Sequence, residues 1–122
     1  MEAENHEKYK KQLVSAARAV LAHEIALPLG CRRIAKILRW LGDDPFLKYP
    51  LFFEFTAACE ARQLPLGSDR LYWDKEKLRE RDIELHALVE TFGTRLVGNC
   101  WDIVERLSTD APHERSKVRF VR

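Results

Sequence analysis

The sequence predicts an all-α fold, a four-helix bundle-like single domain organised on a long, bent C-terminal helix. Three observations carry that expectation. Residues 74–109 run without proline, and within them Leu78, Leu85, Val89, Phe92, Leu96, Cys100, Ile103 and Leu107 return every three or four positions or a multiple of that spacing, which lays one apolar stripe along a helix. Shorter stretches upstream repeat the spacing and are separated by proline and glycine. The aromatic run at residues 51–55, the best strand candidate, has no partner strand and leads into alanines, so it too reads as helix. At 1.5 Å per residue the last helix extends about 50 Å, beyond the width of a domain this small, so other helices have to lie along it.

A chain of 122 residues with 46% hydrophobic and 33% charged side chains is one globular domain, long enough for one core and too short for two. We divide it into a helical domain at 1–109 and a basic tail at 110–122. No apolar run reaches the 18 residues a membrane span needs, and the start Met1-Glu2-Ala3-Glu4-Asn5-His6-Glu7 is acidic rather than basic and then apolar, so the expected location is cytoplasmic, with no membrane partner. Cys31, Cys59 and Cys100 are odd in number and each lies in an apolar helical pattern, as reduced core thiols do. The net charge of +2 is spread as +4 over 1–42, −2 over 43–73, −2 over 74–109 and +2 over the tail, a weaker concentration than nucleic-acid binders carry.

In chain order, residues 4–27 predict a first helix whose apolar side holds Tyr9, Leu13, Ala16, Ala17, Val20, Leu21 and Leu27, its alanines admitting a close neighbour. Glu24 then falls at or near the core edge, to be met by an arginine or by water. Pro28 and Gly30 place a kink or tight turn before a short second helix at 31–41. There Ile34, Ile37, Leu38 and Leu41 face inward, Arg32, Lys36 and Arg39 form a basic row read as a solvated face, and Gly42 is the C-cap. Asp43-Asp44-Pro45 signals a helix start that Pro50 interrupts or restarts. Leu51, Phe52, Phe53, Phe55, Ala57, Ala58 and Cys59 are apolar nearly all round, as in a central helix ending near Arg62. Residues 63–73 read as a loop that packs down through Leu64, Leu66, Leu71 and Trp73. Asp74 caps the long helix, and Gly93 and Gly98 mark its bend.

Metal and catalytic patterns are missing or incomplete. The chain has no Glu-x-x-His, and His23-Glu24 is followed by Leu27 where a zinc protease helix needs its second histidine. Asp82, His86 and Glu90 share one helical face at i, i+4 and i+8, a pattern that alternating surface charges also produce. Ser15, Ser68, Ser108 and the cysteines lie in no nucleophile motif. The expectation is no enzyme, no cofactor and no metal.

An alanine-rich first helix with Glu24 near its end is followed by Gly30-Cys31-Arg32 and an aromatic helix. Leu64-Pro65-x-Gly67 with Arg70 and Trp73 then leads into a long charged helix carrying Cys100. This order resembles a bacterial family of small all-helical proteins classed as a domain of unknown function. The resemblance covers most of 9–107 and implies an all-helical fold with no established activity; Pro28 departs from it. By analogy of class, small bacterial helical proteins without catalytic groups serve as inhibitors or adaptors, immunity proteins among them.

The leading expectation is therefore a non-enzymatic protein-binding module, most concretely an immunity-type protein, a toxin inhibitor whose partner is a toxin domain. Of the tryptophans, Trp101 is expected in the core, while Trp40 and Trp73 lie near element ends where they can anchor a partner. Candidate partner-binding residues are Trp40, Arg70, Tyr72, Trp73, Asp82, His86 and Glu90. The alternative is a nucleic-acid-contacting regulatory protein using Arg32, Arg33, Lys36, Arg39 and the basic tail. A third reading is a homo-oligomer in which the long helix pairs with its own copy.

Overall fold

The computed structural model describes residues 2–42 and 48–107, with side chains from residue 6 onward in the first of these segments. Four helices follow one another, α1 (Glu2–Leu21), α2 (Leu27–Leu41), α3 (Pro50–Ala61) and α4 (Lys75–Leu107), with a 3-10 turn at Ser68–Tyr72 between the last two. Each helix packs on its neighbours in sequence, and α4 returns to lie against α1, so the four close a ring, across which α2 also touches α4 while α1 and α3 meet least. The fold is all-α with a long C-terminal helix, as the periodicity predicts. No helix is long and apolar enough, among the described residues, to cross a membrane.

The first connection differs from the sequence expectation. Helix α1 ends at Leu21, not at residue 27, and α2 begins at Leu27, not at 31. The N–H of Glu24 donates to the Ala19 carbonyl at 2.8 Å and that of His23 to Val20 at 3.1 Å, with His23 at φ 62°. This is a Schellman closure with histidine in the left-handed position usually held by glycine. Pro28 is not a kink. It sits in the first turn of α2, where its missing N–H is one that has no intrahelical partner anyway. Glu24 is exposed in the turn, so its carboxylate meets water. Gly30 is a contact point rather than a weak spot: it is buried, and a Cβ there would collide with the Val20 side chain of α1.

Gly42 caps α2 at φ 77°, its N–H reaching the Leu38 and Arg39 carbonyls. Helix α3 starts at Pro50; the earlier start signal at 43–47 lies outside the described residues, as does the basic tail. Only one side of α3 is core, with Phe52, Phe55, Thr56 and Cys59 buried while Glu54 and Ala57 face out. It is thus a flanking helix and not an enclosed one. It closes like α1, with Leu64 N–H on Cys59 O, Gln63 N–H on Glu60 O and Gln63 at φ 54°. Tyr49, before α3, is buried and donates its hydroxyl to Asp102 Oδ2 at 2.7 Å while accepting from Arg106 Nη1 at 3.1 Å. These bonds tie the start of α3 to the end of α4. Burial, reinforced by the Asp102 carboxylate, pushes the Tyr49 hydroxyl up to about 12.

The core joins Leu13, Ala17 and Val20 of α1 to Cys31, Ile34 and Leu38 of α2, Phe52 and Phe55 of α3, and Leu96, Cys100 and Ile103 of α4. All three cysteines are free and buried, as expected. Burial pushes Cys59 up to about 11 and Cys100 up to about 12, and Cys31 higher still, with repulsion from the other two thiols adding to it. Trp101, expected in the core, is half-buried, because one step of 100° past Cys100 turns it to the edge of the stripe.

Helix α4 runs through Gly93 and Gly98 as one element. All its buried residues lie from Leu88 onward; along 75–87 even the stripe residues Leu78 and Leu85 are only half-covered. Those thirteen residues carry the helix roughly 20 Å past the buried part of its own stripe. What lies against them is the 62–73 segment, and that places the candidate site.

Candidate functional site

The segment after α3 turns on proline, glycine and aspartate. The N–H of Gly67 donates to Asp69 Oδ1 at 3.0 Å, and the Arg70 N–H to the Gly67 carbonyl at 3.0 Å, so the 3-10 turn is closed by its own backbone and one local side chain. Leu64 and Pro65 are buried beneath it.

Arg70 fixes this turn to α4. Its Nη1 donates to Asp82 Oδ1 at 2.8 Å and to the Pro65 carbonyl at 3.3 Å, while Nη2 donates to Asp82 Oδ2 at 2.9 Å. The pairing is a two-pronged guanidinium–carboxylate bridge. Hydrogen bonding from Arg70 holds the Asp82 carboxyl below its usual range, and the same bond raises Arg70. Each side chain is a third or more exposed, so the bridge contributes on the order of 1 kcal/mol at most. Its larger effect is positional, since it sets the direction of the two residues that follow.

Those residues are Leu71 and Tyr72, exposed by 82% and 89%. Leu71, expected to pack down, points outward because Arg70 occupies the inward position of the turn. On α4, next to the Arg70 anchor Asp82, Ile83 is 69% exposed. Trp73 is half-buried, with the Arg81 guanidinium 5.8 Å from its ring centroid. Arg81 also bonds Glu84 at 3.4 Å, and its Nε is buried with no hydrogen-bond partner among the described residues. Arg62 reaches Glu84 at 3.9 Å, and His86 Nε2 lies 3.4 Å from Glu90 Oε2, both of the latter exposed. The corner is therefore an apolar tip of Leu71, Tyr72 and Ile83 on a base of paired charges.

The structure divides the predicted site residues in two. Arg70, Tyr72, Trp73 and Asp82 meet at the corner, with His86 and Glu90 farther along the same helix. Asp82 faces Arg70, and no three described His, Cys, Asp or Glu side chains are placed to hold a metal together. Trp40 belongs elsewhere, on a groove between α1 and α2, where it is 49% exposed. Tyr9 leans against it at 5.3 Å and 37°, and Lys36 Nζ lies 5.6 Å from its ring centroid. Arg32, Arg33 and Lys36 line the same groove and are exposed.

Sequence reasoning missed Leu71 and Ile83. Ile83 had a signal, since it lies two residues before Leu85 and five after Leu78 and so falls off the stripe. Leu71 had none, because direction within a turn depends on which neighbour is anchored. No protein-family model, no curated protein and no solved structure matches the chain.

Proposed function

We propose that this chain is a non-enzymatic protein-binding module whose contact surface is the corner of Leu71, Tyr72 and Ile83, and, in its most concrete form, an immunity-type protein that occludes a toxin domain. One observation carries the reading: two successive large apolar side chains, each more than four-fifths exposed, stand on a turn that a two-pronged ion pair fixes to a helix. Apolar and aromatic side chains held in place before contact make effective anchors, because little side-chain or loop freedom is lost on binding. The surrounding polar groups support binding over chemistry, since Arg70 with Asp82, Arg81 with Glu84 and His86 with Glu90 are engaged with one another. Paired polar groups beside exposed apolar side chains are the composition of an interface. The toxin is the narrower part of the proposal and rests on analogy of class.

The experiment is co-purification from the native host of the tagged chain beside a Leu71→Ser/Tyr72→Ser variant. A stoichiometric protein that accompanies the first and not the second supports the reading, and toxicity of that protein relieved by the wild-type chain alone supports the narrower form. A partner-free chain overturns it. Light scattering at micromolar concentration detects self-pairing through the same corner, which would make the partner a second copy.

A further inference from the structure

We propose that the groove between α1 and α2 binds a nucleotide unit, its phosphates held by Arg32, Arg33 and Lys36 and its base stacked on Trp40. The groove encloses about 480 Å³, within the range of small-molecule sites. Its chemistry is sorted along its length. Arg32, Lys36 and Trp40 follow at i, i+4 and i+8 on one face of α2, with Arg33 beside them, which places the two guanidinium groups at one end, the aromatic ring about 12 Å along at the other, and Lys36 between them with its Nζ 5.6 Å from the ring centroid. Gln12 and Ser15 of α1 supply neutral hydrogen-bonding groups on the facing wall, over a floor that includes Ala16 and Ile37.

Charge and aromaticity together select the ligand. Among the described residues no carboxylate lines the groove, and neither Arg32 nor Arg33 has an acidic partner, so two planar guanidinium forks are available for phosphate oxygens. An acidic peptide would satisfy the cations and leave the tryptophan unused. A base uses it: the ring is half-exposed yet steadied by Tyr9, the condition for a stacking platform beside a positive track. Lys8 and Lys11, with the carboxylate of Glu7 beside them, line a shallower depression that shares Gln12 and Ser15 with the groove, so a free nucleotide and a nucleotide within a single strand are both sources of the same unit. None of these side chains is Leu71 or Tyr72, but the Arg32 guanidinium packs beside Gly67 at the start of their turn, so the charge reversals that test the groove are placed at Arg33 and Lys36, and the inference does not rest on the protein-binding reading.

The test is calorimetric titration of the full chain with ADP, with inorganic pyrophosphate and with a short oligothymidylate. Saturable ADP binding at least tenfold tighter than pyrophosphate is the expected result for a free nucleotide. Oligothymidylate at least tenfold tighter than ADP identifies the strand as the source; three phosphate contacts then give a salt slope of about −2, a loss of roughly 20-fold between 50 and 200 mM salt. Arg33→Glu with Lys36→Glu, both on the exposed side of α2, lowers affinity at least tenfold in the arm that binds while the helical circular dichroism is unchanged. Trp40→Ala brings ADP down to the level of pyrophosphate, and Trp40→Phe, which keeps a ring against Tyr9, retains the preference. The proposal is overturned by pyrophosphate binding as tightly as ADP, by no saturable binding of ADP or oligothymidylate at 50 mM salt, or by an affinity indifferent to the charge reversals. Leu71→Ser/Tyr72→Ser leaves nucleotide binding intact, so failure here and failure at the corner are read separately.

Discussion

Glycine-to-alanine substitution should have opposite signs at two helical positions of this protein, and the difference measures how closely α1 and α2 approach. Within a helix the exchange favours alanine by about 1 kcal/mol, because glycine has more backbone freedom to lose. At Gly98 a Cβ would meet nothing within 4 Å, so Gly98→Ala should stabilise by nearly that amount. At Gly30 the new methyl falls on the Val20 side chain, itself 5% exposed and hemmed in by core. Overpacking of this kind costs about 1–3 kcal/mol, so Gly30→Ala should destabilise by up to about 2 kcal/mol after its propensity gain. Val20→Ala alone removes two buried methyls and costs about 2 kcal/mol. In the double variant the methyl added at position 30 fills the space that Val20 vacates, and the total loss should be about 1 kcal/mol rather than the sum, a coupling of about 2 kcal/mol. Urea unfolding of the four chains measures this, provided that the slope with denaturant stays constant. A Gly30→Ala chain more stable than wild type, or single effects that add within about 0.5 kcal/mol, would refute the close approach.

Three further outcomes rest on the geometry. His23→Gly should stabilise by about 1 kcal/mol, since a side-chain-bearing residue at φ 62° bears a left-handed cost that glycine avoids; unchanged or lowered stability in thermal melts would show that the α1 closure is not strained. Because Arg70 holds the Asp82 carboxyl below its usual range, the bridge's contribution is complete above about pH 4 and is lost as pH falls through the lowered value. Asp82→Asn should thus reduce wild-type stability at pH 7 by on the order of 1 kcal/mol or less and by progressively less as the pH drops below 4; an equal difference at both ends would remove the bridge from the account. With Cys59 at about 11 and Cys100 at about 12, and Cys31 higher still, an aromatic disulfide reagent at pH 8 should label none of the thiols in the native chain and all of them in denaturant. The unfolded thiols ionise near 8.5, so stability should also fall as pH rises from there towards the folded values. Rapid native labelling at pH 8 would contradict the burial.

The helices were legible because burial needs periodicity, and periodicity is written in residue type. Leu96, Cys100 and Ile103 show it, and so do Ile34 and Leu38. The ends were less legible where they lacked the expected residue. Gly42 announces the close of α2, whereas His23 and Gln63 close α1 and α3 in the same left-handed region without glycine. With no glycine at 22–26, the apolar pattern of α1 runs on through the turn to Leu27, and Pro28 is then read as a break when it is a beginning. The candidate site was half legible. Arg70, Tyr72, Trp73 and Asp82 stand out by type, but their arrangement depends on an ion pair across twelve residues. The outward course of Leu71 goes with that bond and with the backbone closure of its turn.

That bond also explains why the exposed end of α4 is organised at all. An isolated stretch of 75–87, half-covered and carrying alternating charges, would owe little of its stability to burial and would fray. Arg70 to Asp82, Arg62 to Glu84 and Arg81 over Trp73 attach it at three points to a turn that rests on buried Leu64 and Pro65. Each contact is weak because it is exposed. Together they hold Ile83 in a fixed relation to Leu71 and Tyr72, which a flexible loop would not do. Cutting the Arg70 bridge should accordingly weaken any partner that docks on the corner by more than it weakens the fold. Arg70→Met, which keeps the aliphatic stem and loses the fork, separates the two effects: global stability within about 1 kcal/mol of wild type, and partner affinity reduced at least as much as by Tyr72→Ser. If Arg70→Met leaves partner affinity unchanged, the apolar tip binds without being held in place, and the geometry of the corner is incidental to its function.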